Sequence, residues 1–256
     1  MNRNMGPNEG RRIKSLGTTF AIIDRLKSVD QARVTELADD LNTSKATIHT
    51  HLATLMQEGY VVKNGVMYGL NLQFLKIGGR VRNNHSLYLE GKLPADKLAE
   101  DTRELVHLAT EHNGEVIYLY KVRGDNAIIS AVPTGSTRPM HATAAGKVML
   151  AFLSPEYRDQ ILLQSQFKRL TVNTISDRET LDKQIEEIRK TGIAINNEEA
   201  VRGSRSVAAP VLRPDGGVIG AILVSGPTAR MEGNYLEELQ LEVNNAANQI
   251  EINIQI

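Results

Sequence analysis

The sequence predicts an α+β protein in two parts, an N-terminal winged helix-turn-helix unit followed by an antiparallel sheet with helices on its faces. Three observations lead there. Three stretches with 3.6-residue apolar spacing and an Asn-Gly hairpin fill residues 13–68. Beyond Pro94, helical and β-rich stretches alternate, yet few of the connections support parallel crossovers. Charge also divides. Residues 1–80 hold 11 basic and 7 acidic side chains and residues 81–256 hold 19 and 23, so the formal net charge of zero hides +4 in front and −4 behind. A mildly basic front fits a small nucleic-acid module joined to something else.

The first helix is read over Ile13–Lys27, where Leu16, Phe20, Ile23 and Leu26 recur at spacings of three and four and predict one buried stripe. A second helix spans Val34–Leu41 and turns Leu37, Ala38 and Leu41 inward. Asn42-Thr43 make a tight turn, and Ser44 is a good N-cap for a third helix over Lys45–Glu58. Ile48, Leu52, Leu55 and Met56 give that helix its buried face, and Gly59 closes it. Tyr60-Val61-Val62 and Val66-Met67-Tyr68 then flank Lys63-Asn64-Gly65, a strong hairpin signal.

Leu72–Leu93 reads as a connecting helix, weakened at Gly78-Gly79 and Gly91 and ended by Pro94. A helix fits Asp96–Glu111, and strands fit Glu115–Val122 and Ala127–Pro133 around the turn Arg123–Asn126. A loop over Thr134–His141 leads to a helix near Ala144–Leu153, and further helices fit Pro155–Gln164 and Asp177–Thr191. Strands at Ile193–Asn196, Ser206–Leu212 and Val218–Ser225 precede a closing helix over Asn234–Ile252. The expected organisation is therefore a DNA-binding unit at 1–72, a connector at 73–94 and a second domain at 95–256.

Apolar residues at 41% and charged residues at 23% are ordinary for a globular chain, so a core needs no disulfide or metal. With no cysteine, thiolate metal sites and cysteine nucleophiles are excluded. Residues 1–15 lack the apolar stretch of an export signal, and no run approaches the roughly 20 apolar residues of a membrane span. A cytoplasmic protein with no membrane partner and no cofactor is expected.

A helix set across a short turn can lie in the major groove with its polar face on base edges and phosphates. Ser44, Lys45, Thr47, His49 and Thr50 are the candidate reading residues. Lys63 and Asn64 at the hairpin tip are candidates for a flanking contact, and Arg11 and Arg12, with Lys14, for phosphates ahead of the first helix. On pattern alone, a helical bundle with a solvated polar face remains the alternative.

Other constellations carry less. His49 and His51 point about 200° apart on a helix and cannot share a metal. His107 and Glu111 read as a solvated helix face, with His112 at its polar end. Arg138–Lys147 (RPMHATAAGK) is rich in small residues and opens a helix, so it is either a tight packing site or the wall of a small-ligand pocket. Gly146-Lys147 is no phosphate loop, because His141 and Val148 stand where a glycine and a hydroxyl residue are needed. There is no Gly-x-Ser-x-Gly elbow, and the adjacent Glu198 and Glu199 point different ways, so neither catalytic residues nor a metal site are expected.

In combination, four blocks resemble the IclR family of bacterial and archaeal transcriptional regulators along nearly the whole chain. Ser15–Ile23 is similar to the family's opening helix and Val34–Leu55 to its helix-turn-helix. Arg138–Leu153 is similar to its effector-domain loop and helix, and Gly192–Pro210 with Gly220–Pro227 to its final strands. Each block is moderately specific, and their order and spacing are highly so. The resemblance implies a GAF-like second domain with a six-strand sheet and a cupped ligand site. It also implies a homodimer or homotetramer on palindromic double-stranded operators, acting as repressor or activator. The implied effectors are small organic molecules such as sugar acids, carboxylates or aromatic acids.

By position, the resemblance implies an effector pocket of Met140, His141, Ala142, Ala144, Gly146, Asn196, Ser206, Leu223 and Ser225. Many relatives carry Asp, Cys and Ser where this chain has Asn196, Ser206 and Leu223, and often Arg where it has Thr50. Within the family, the chain resembles the archaeal regulators of sugar catabolism. The implied function is a sequence-specific regulator, not an enzyme, whose operator binding answers to a small effector. The alternatives are a constitutive DNA-binding protein and a small-metabolite enzyme built on the second domain.

Overall fold

The computed structural model describes residues 13–128 and 132–255. Arg11, Arg12 and the middle of the strand expected at Ala127–Pro133 lie outside the described residues. The chain divides into two compact units, Met1–Val81 and Arg82–Ile256, and the division falls among the residues read as a connector.

The front unit runs α1 (Lys14–Val29), β1 (Gln31–Ala32), α2 (Val34–Asp40), α3 (Lys45–Gln57), β2 (Val61–Asn64) and β3 (Met67–Leu70), and α4 (Gln73–Asn83) follows. Asn42 takes a left-handed φ of 46° to make the turn between α2 and α3. The Ser44 hydroxyl then accepts from the Thr47 amide at 3.0 Å and caps α3. Gly65, with φ 63°, is the first of the two loop residues between β2 and β3, a conformation that costs glycine little. The sequence reading has no counterpart for β1, which is too short to show a period. It pairs antiparallel with β3 and completes a sheet of order β1-β3-β2.

The front core holds Ile22, Leu26, Leu37, Ile48, Leu52, Leu55, Val61 and Tyr68. Three expected members are not in it. Leu16 and Phe20 are 52% and 62% exposed, because the face of α1 that meets α3 is carried by Ile22 and Leu26, and higher up by Thr19. Met56 is 38% exposed at the end of α3, where Leu55 is the last residue turned inward.

The second unit begins with α5 (Ser86–Thr102), β4 (Leu105–His112), β5 (Glu115–Arg123), β6 (Thr137–Pro139) and a 3-10 turn at Met140–Ala142. It continues with α6 (Ala144–Phe152), α7 (Pro155–Gln164), α8 (Arg178–Thr191), β7 (Ala194–Asn197), β8 (Ser204–Leu212), β9 (Val218–Pro227) and α9 (Gly233–Gln255). Six strands form one antiparallel sheet of order β6-β5-β4-β9-β8-β7. Alternate side chains of each strand serve opposite faces. Val106, Leu108, Val207, Ile222 and Val224 pack with α5 and α9, while Ala109, Ala208, Ala221 and Leu223 pack with α6, α7 and α8.

Three expectations change here. The helix expected over Asp96–Glu111 ends at Thr102, Arg103 takes a left-handed φ of 59°, and Leu105–His112 is a central strand between β5 and β9. A strand buried on both faces is a continuous apolar run, which periodicity does not separate from a buried helix. Pro94 lies inside α5 instead of ending a helix. Proline removes the amide that would serve the carbonyl four residues back. That carbonyl, of Glu90, accepts from Asn253 Nδ2 of α9 at 3.4 Å. Finally, the described ends of Ala127–Pro133 are not strand, and the strand that flanks β5 on the side away from β4 is β6, pairing Thr137 with Ile117. Among the described residues no helix is long and apolar enough to cross a membrane.

Candidate functional site

On α3, burial of Ile48, Leu52 and Leu55 leaves Lys45, His49, Thr50 and Thr54 exposed and Thr47 half-buried. Some of these polar groups already have local partners. Ser44 and Thr47 hydroxyls lie 2.8 Å apart, and the Thr50 hydroxyl donates to the Ala46 carbonyl at 3.0 Å. Lys45 and His49 therefore present a cation and an imidazole on an otherwise small-side-chain surface. His51 faces elsewhere, with Nδ1 2.9 Å from the Thr19 hydroxyl, and the described residues contain no His, Asp or Glu cluster able to hold a metal. At the hairpin end Asn64 is exposed, and the Lys63 ammonium lies 5.3 Å from the centre of the Tyr68 ring.

In the second unit a cavity of about 270 Å³ opens on the sheet face turned toward α6. Its strand residues are Leu105 and His107 of β4, Leu223 and Ser225 of β9, Ser204 and Ser206 of β8, and Asn196 of β7. Tyr118, Arg138, Thr143 and Ala144 add further walls. Antiparallel register sets His107 opposite Leu223 and Ser206 opposite Ser225, whose hydroxyls are 2.8 Å apart. Asn196 is committed at both ends. Its Nδ2 donates to the Ala142 carbonyl at 2.6 Å, and its Oδ1 accepts from the Glu199 amide at 3.1 Å.

His107 is only 3% exposed, and among the described residues neither ring nitrogen has a hydrogen-bond partner. Burial, helped by the charge of Lys121, pushes its pKa down to about 3, so the ring is neutral. The Tyr118 ring lies 5.0 Å away, its phenol held protonated because burial pushes its pKa up to about 12. Helix α6 starts at the cavity, where the Thr143 hydroxyl accepts from the Gly146 amide at 2.9 Å. The first amides of a helix carry partial positive charge, and Arg138 adds a full one.

Five of the nine residues proposed for the pocket line this cavity: Ala144, Asn196, Ser206, Leu223 and Ser225. Met140 and His141 line another, of about 290 Å³, with Glu115, Ser165 and Lys168. The His141 ring is satisfied there. Nε2 lies 3.2 Å from the Lys168 carbonyl, which can only accept, so Nδ1 is the acceptor for the Ser165 hydroxyl at 3.3 Å. Ala142 and Gly146 are buried supports, since Ala142 receives Asn196 and a Cβ on Gly146 would overlap the Met140 carbonyl oxygen. His107 is thus no solvated helix residue. The run Leu105-Val106-His107-Leu108-Ala109, read as a buried strand, is the signal that places it inside.

Behind the cavity Lys147 is fully buried. Its Nζ donates to Glu199 Oε1 at 2.7 Å, the Ile195 carbonyl at 2.8 Å and Gln184 Oε1 at 2.9 Å. Burial lowers the lysine pKa, and Glu199 opposes that shift. Glu198 turns the other way and accepts from the Gly203 amide at 2.8 Å, so the adjacent carboxylates do diverge. A third cavity, of about 360 Å³, is lined by Asn84, His85 and Ser86 between α4 and α5, and by Met149 and Leu153 at the far end of α6.

The family models for the IclR helix-turn-helix domain and for the bacterial transcriptional regulator IclR C-terminal region match residues 15–65 and 81–252. The probable HTH-type transcriptional regulator ArcR of Halobacterium salinarum is 35% identical, covering 96% of each chain. A putative transcriptional regulator from Rhodococcus sp. RHA1 superposes with a TM-score of 0.84 at 26% identity, over 95% of this chain and 99% of that one. An IclR homologue from Microbacterium hydrocarbonoxydans, solved in complex with 4-hydroxybenzoate, has the same fold, with a TM-score of 0.78 at 18% identity over 93% and 99%.

Proposed function

Because this chain belongs to the IclR family of transcriptional regulators and carries its DNA-binding helix-turn-helix, we propose that α3 and the β2–β3 hairpin read a palindromic operator and that a small organic acid in the His107–Asn196 cavity sets the DNA affinity. A homodimer, or a pair of homodimers, supplies two copies of α3, one for each half-site about one helical turn apart. Lys45 takes a phosphate or base-edge contact, with Ser44, Thr47, His49 and Thr50 beside it. The hairpin tip, with Lys63 and Asn64, touches the flanking backbone, as do Arg11 and Arg12 ahead of α1.

The observation that carries the sensing half is convergence. Side chains from β4, β5, β7, β8 and β9 meet the start of α6 around one cavity, with Arg138 at its wall. The cavity sits at the small end of ligand pockets, which run from roughly 300 to 1,000 Å³. A helix start beside an arginine favours an anion. The homologue of the same fold that was solved with 4-hydroxybenzoate, an organic acid, supports this reading. We read the cavity as a sensor with no turnover, acting in the cytoplasm, where the operator is. The effector changes operator affinity only by its differential affinity for the two states of the protein, about 1–3 kcal/mol in typical cases.

The test is footprinting and fluorescence anisotropy of the full-length protein on DNA flanking its own gene, with and without gluconate or 4-hydroxybenzoate. A protected palindrome whose affinity shifts at least about fivefold with one acid is expected. Lys45→Ala is expected to weaken binding and to lower the salt slope by about one. Absence of any protected site sinks the operator reading, and an affinity indifferent to both acids sinks the effector reading.

A further inference from the structure

We propose that His107 is the specificity-determining residue of the ligand cavity, and that the effector is an organic acid bearing a hydroxyl group at the end remote from its carboxylate. His107 has this role only if the cavity takes the effector, as proposed above. Three of the other polar wall groups are paired within the protein. Ser206 and Ser225 bond each other, and Asn196 is used by Ala142 and Glu199. His107 alone among these is buried with both nitrogens unbonded. A buried polar group left in that condition destabilises a fold, so its persistence needs a partner that arrives from outside.

The chemistry of the ring selects that partner. Neutral imidazole offers one N–H donor and one lone pair. With its pKa near 3 the ring is no counter-ion for a carboxylate, whereas a hydroxyl suits either nitrogen, donating to the lone pair or accepting from the N–H. Leu223, directly across the strand pair from His107, offers it nothing polar. The carboxylate has its own place. Register sets Arg138 beside Val116 and His107 beside Lys121, so the two approach the cavity from points five residues apart on β5. One end of the ligand meets the cation and the start of α6, and the other meets His107.

Matched acids test this by calorimetric titration of the full-length protein. D-gluconate is compared with hexanoate, and 4-hydroxybenzoate with benzoate. The wild type is expected to favour a hydroxylated acid over its plain partner by at least about tenfold, because a site built to bond a hydroxyl leaves its own groups unpaired when the hydroxyl is missing. His107→Leu is expected to abolish that preference by weakening the hydroxylated acid while sparing the plain one. His107→Gln, which keeps a donor and an acceptor, is expected to restore part of it. It also reads the same ratio should the leucine variant fail to fold. An unchanged preference in the variants, an equal loss for both members of a pair, or a wild type indifferent to the hydroxyl overturns the assignment and leaves the cavity reading intact. A wild type that binds none of the four acids overturns the cavity reading itself.

Discussion

Two cavities of similar volume lie in the second unit, each walled by a buried histidine, and they differ in how the protein treats the ring. Around His141 both nitrogens are bonded, to the Lys168 carbonyl and the Ser165 hydroxyl. Around His107, among the described residues, neither is. Resemblance alone merges the two places, since it groups Met140 and His141 with Ser206 and Ser225. Geometry separates them. A committed buried group holds architecture together, whereas an uncommitted one is available to a ligand.

The largest expected effect comes where commitment is greatest. Glu199→Ala leaves the Lys147 ammonium buried without its carboxylate and is expected to cost about 3–5 kcal/mol in urea unfolding followed by circular dichroism. A loss under about 1 kcal/mol would show that the neighbouring acceptors suffice and blur the distinction. His141→Leu strands the Ser165 hydroxyl and the Lys168 carbonyl, so a loss of about 1–3 kcal/mol is expected, with effector affinity unchanged. Altered affinity would rejoin the two cavities.

His107 reverses the pattern through pH. Its native pKa, about 3, lies below the ordinary 6.5, so between those values the unfolded chain binds a proton that the native one refuses. Stability is then complete above about pH 6.5 and falls as the pH drops, by about 2 kcal/mol at pH 5. His107→Leu is expected to remove that slope and to melt no lower than wild type at pH 7. The smallest effect belongs to Ser206→Ala, which frees the Ser225 hydroxyl and costs about 0.5–1.5 kcal/mol.

Much of this was legible in the residues. Ser44 as a cap, the hairpin at Gly65 and the final strands follow from local chemistry that tertiary packing does not override. Leu105–Ala109 misleads because a doubly buried strand erases its own period. Pro94 misleads because the remedy for its missing amide, Asn253, lies 159 positions away in the chain. Phe20 misleads because a helix of mixed composition has more than one apolar stripe, and only packing chooses between them. The site shows the same division. Ser206, Leu223 and Ser225 are found by resemblance, while the importance of His107 lies in bonds it does not make, and no spacing rule registers those.

Helix α6 is nine residues long, about 13 Å from end to end. Its N-cap Thr143 and first residue Ala144 line the cavity of His107, and Met149 and the C-cap Leu153 line the one beside Asn84 and His85. Gly146 seats it against the Met140 carbonyl with no room for even a methyl group. Such a rod has no slack. A shift at Thr143 is expected to be passed along the helix toward Leu153, since tightly filled interiors pass strain along instead of absorbing it. On the effector reading proposed above, a short thrust along this one helix is what would carry the signal, with no refolding and no wide swing.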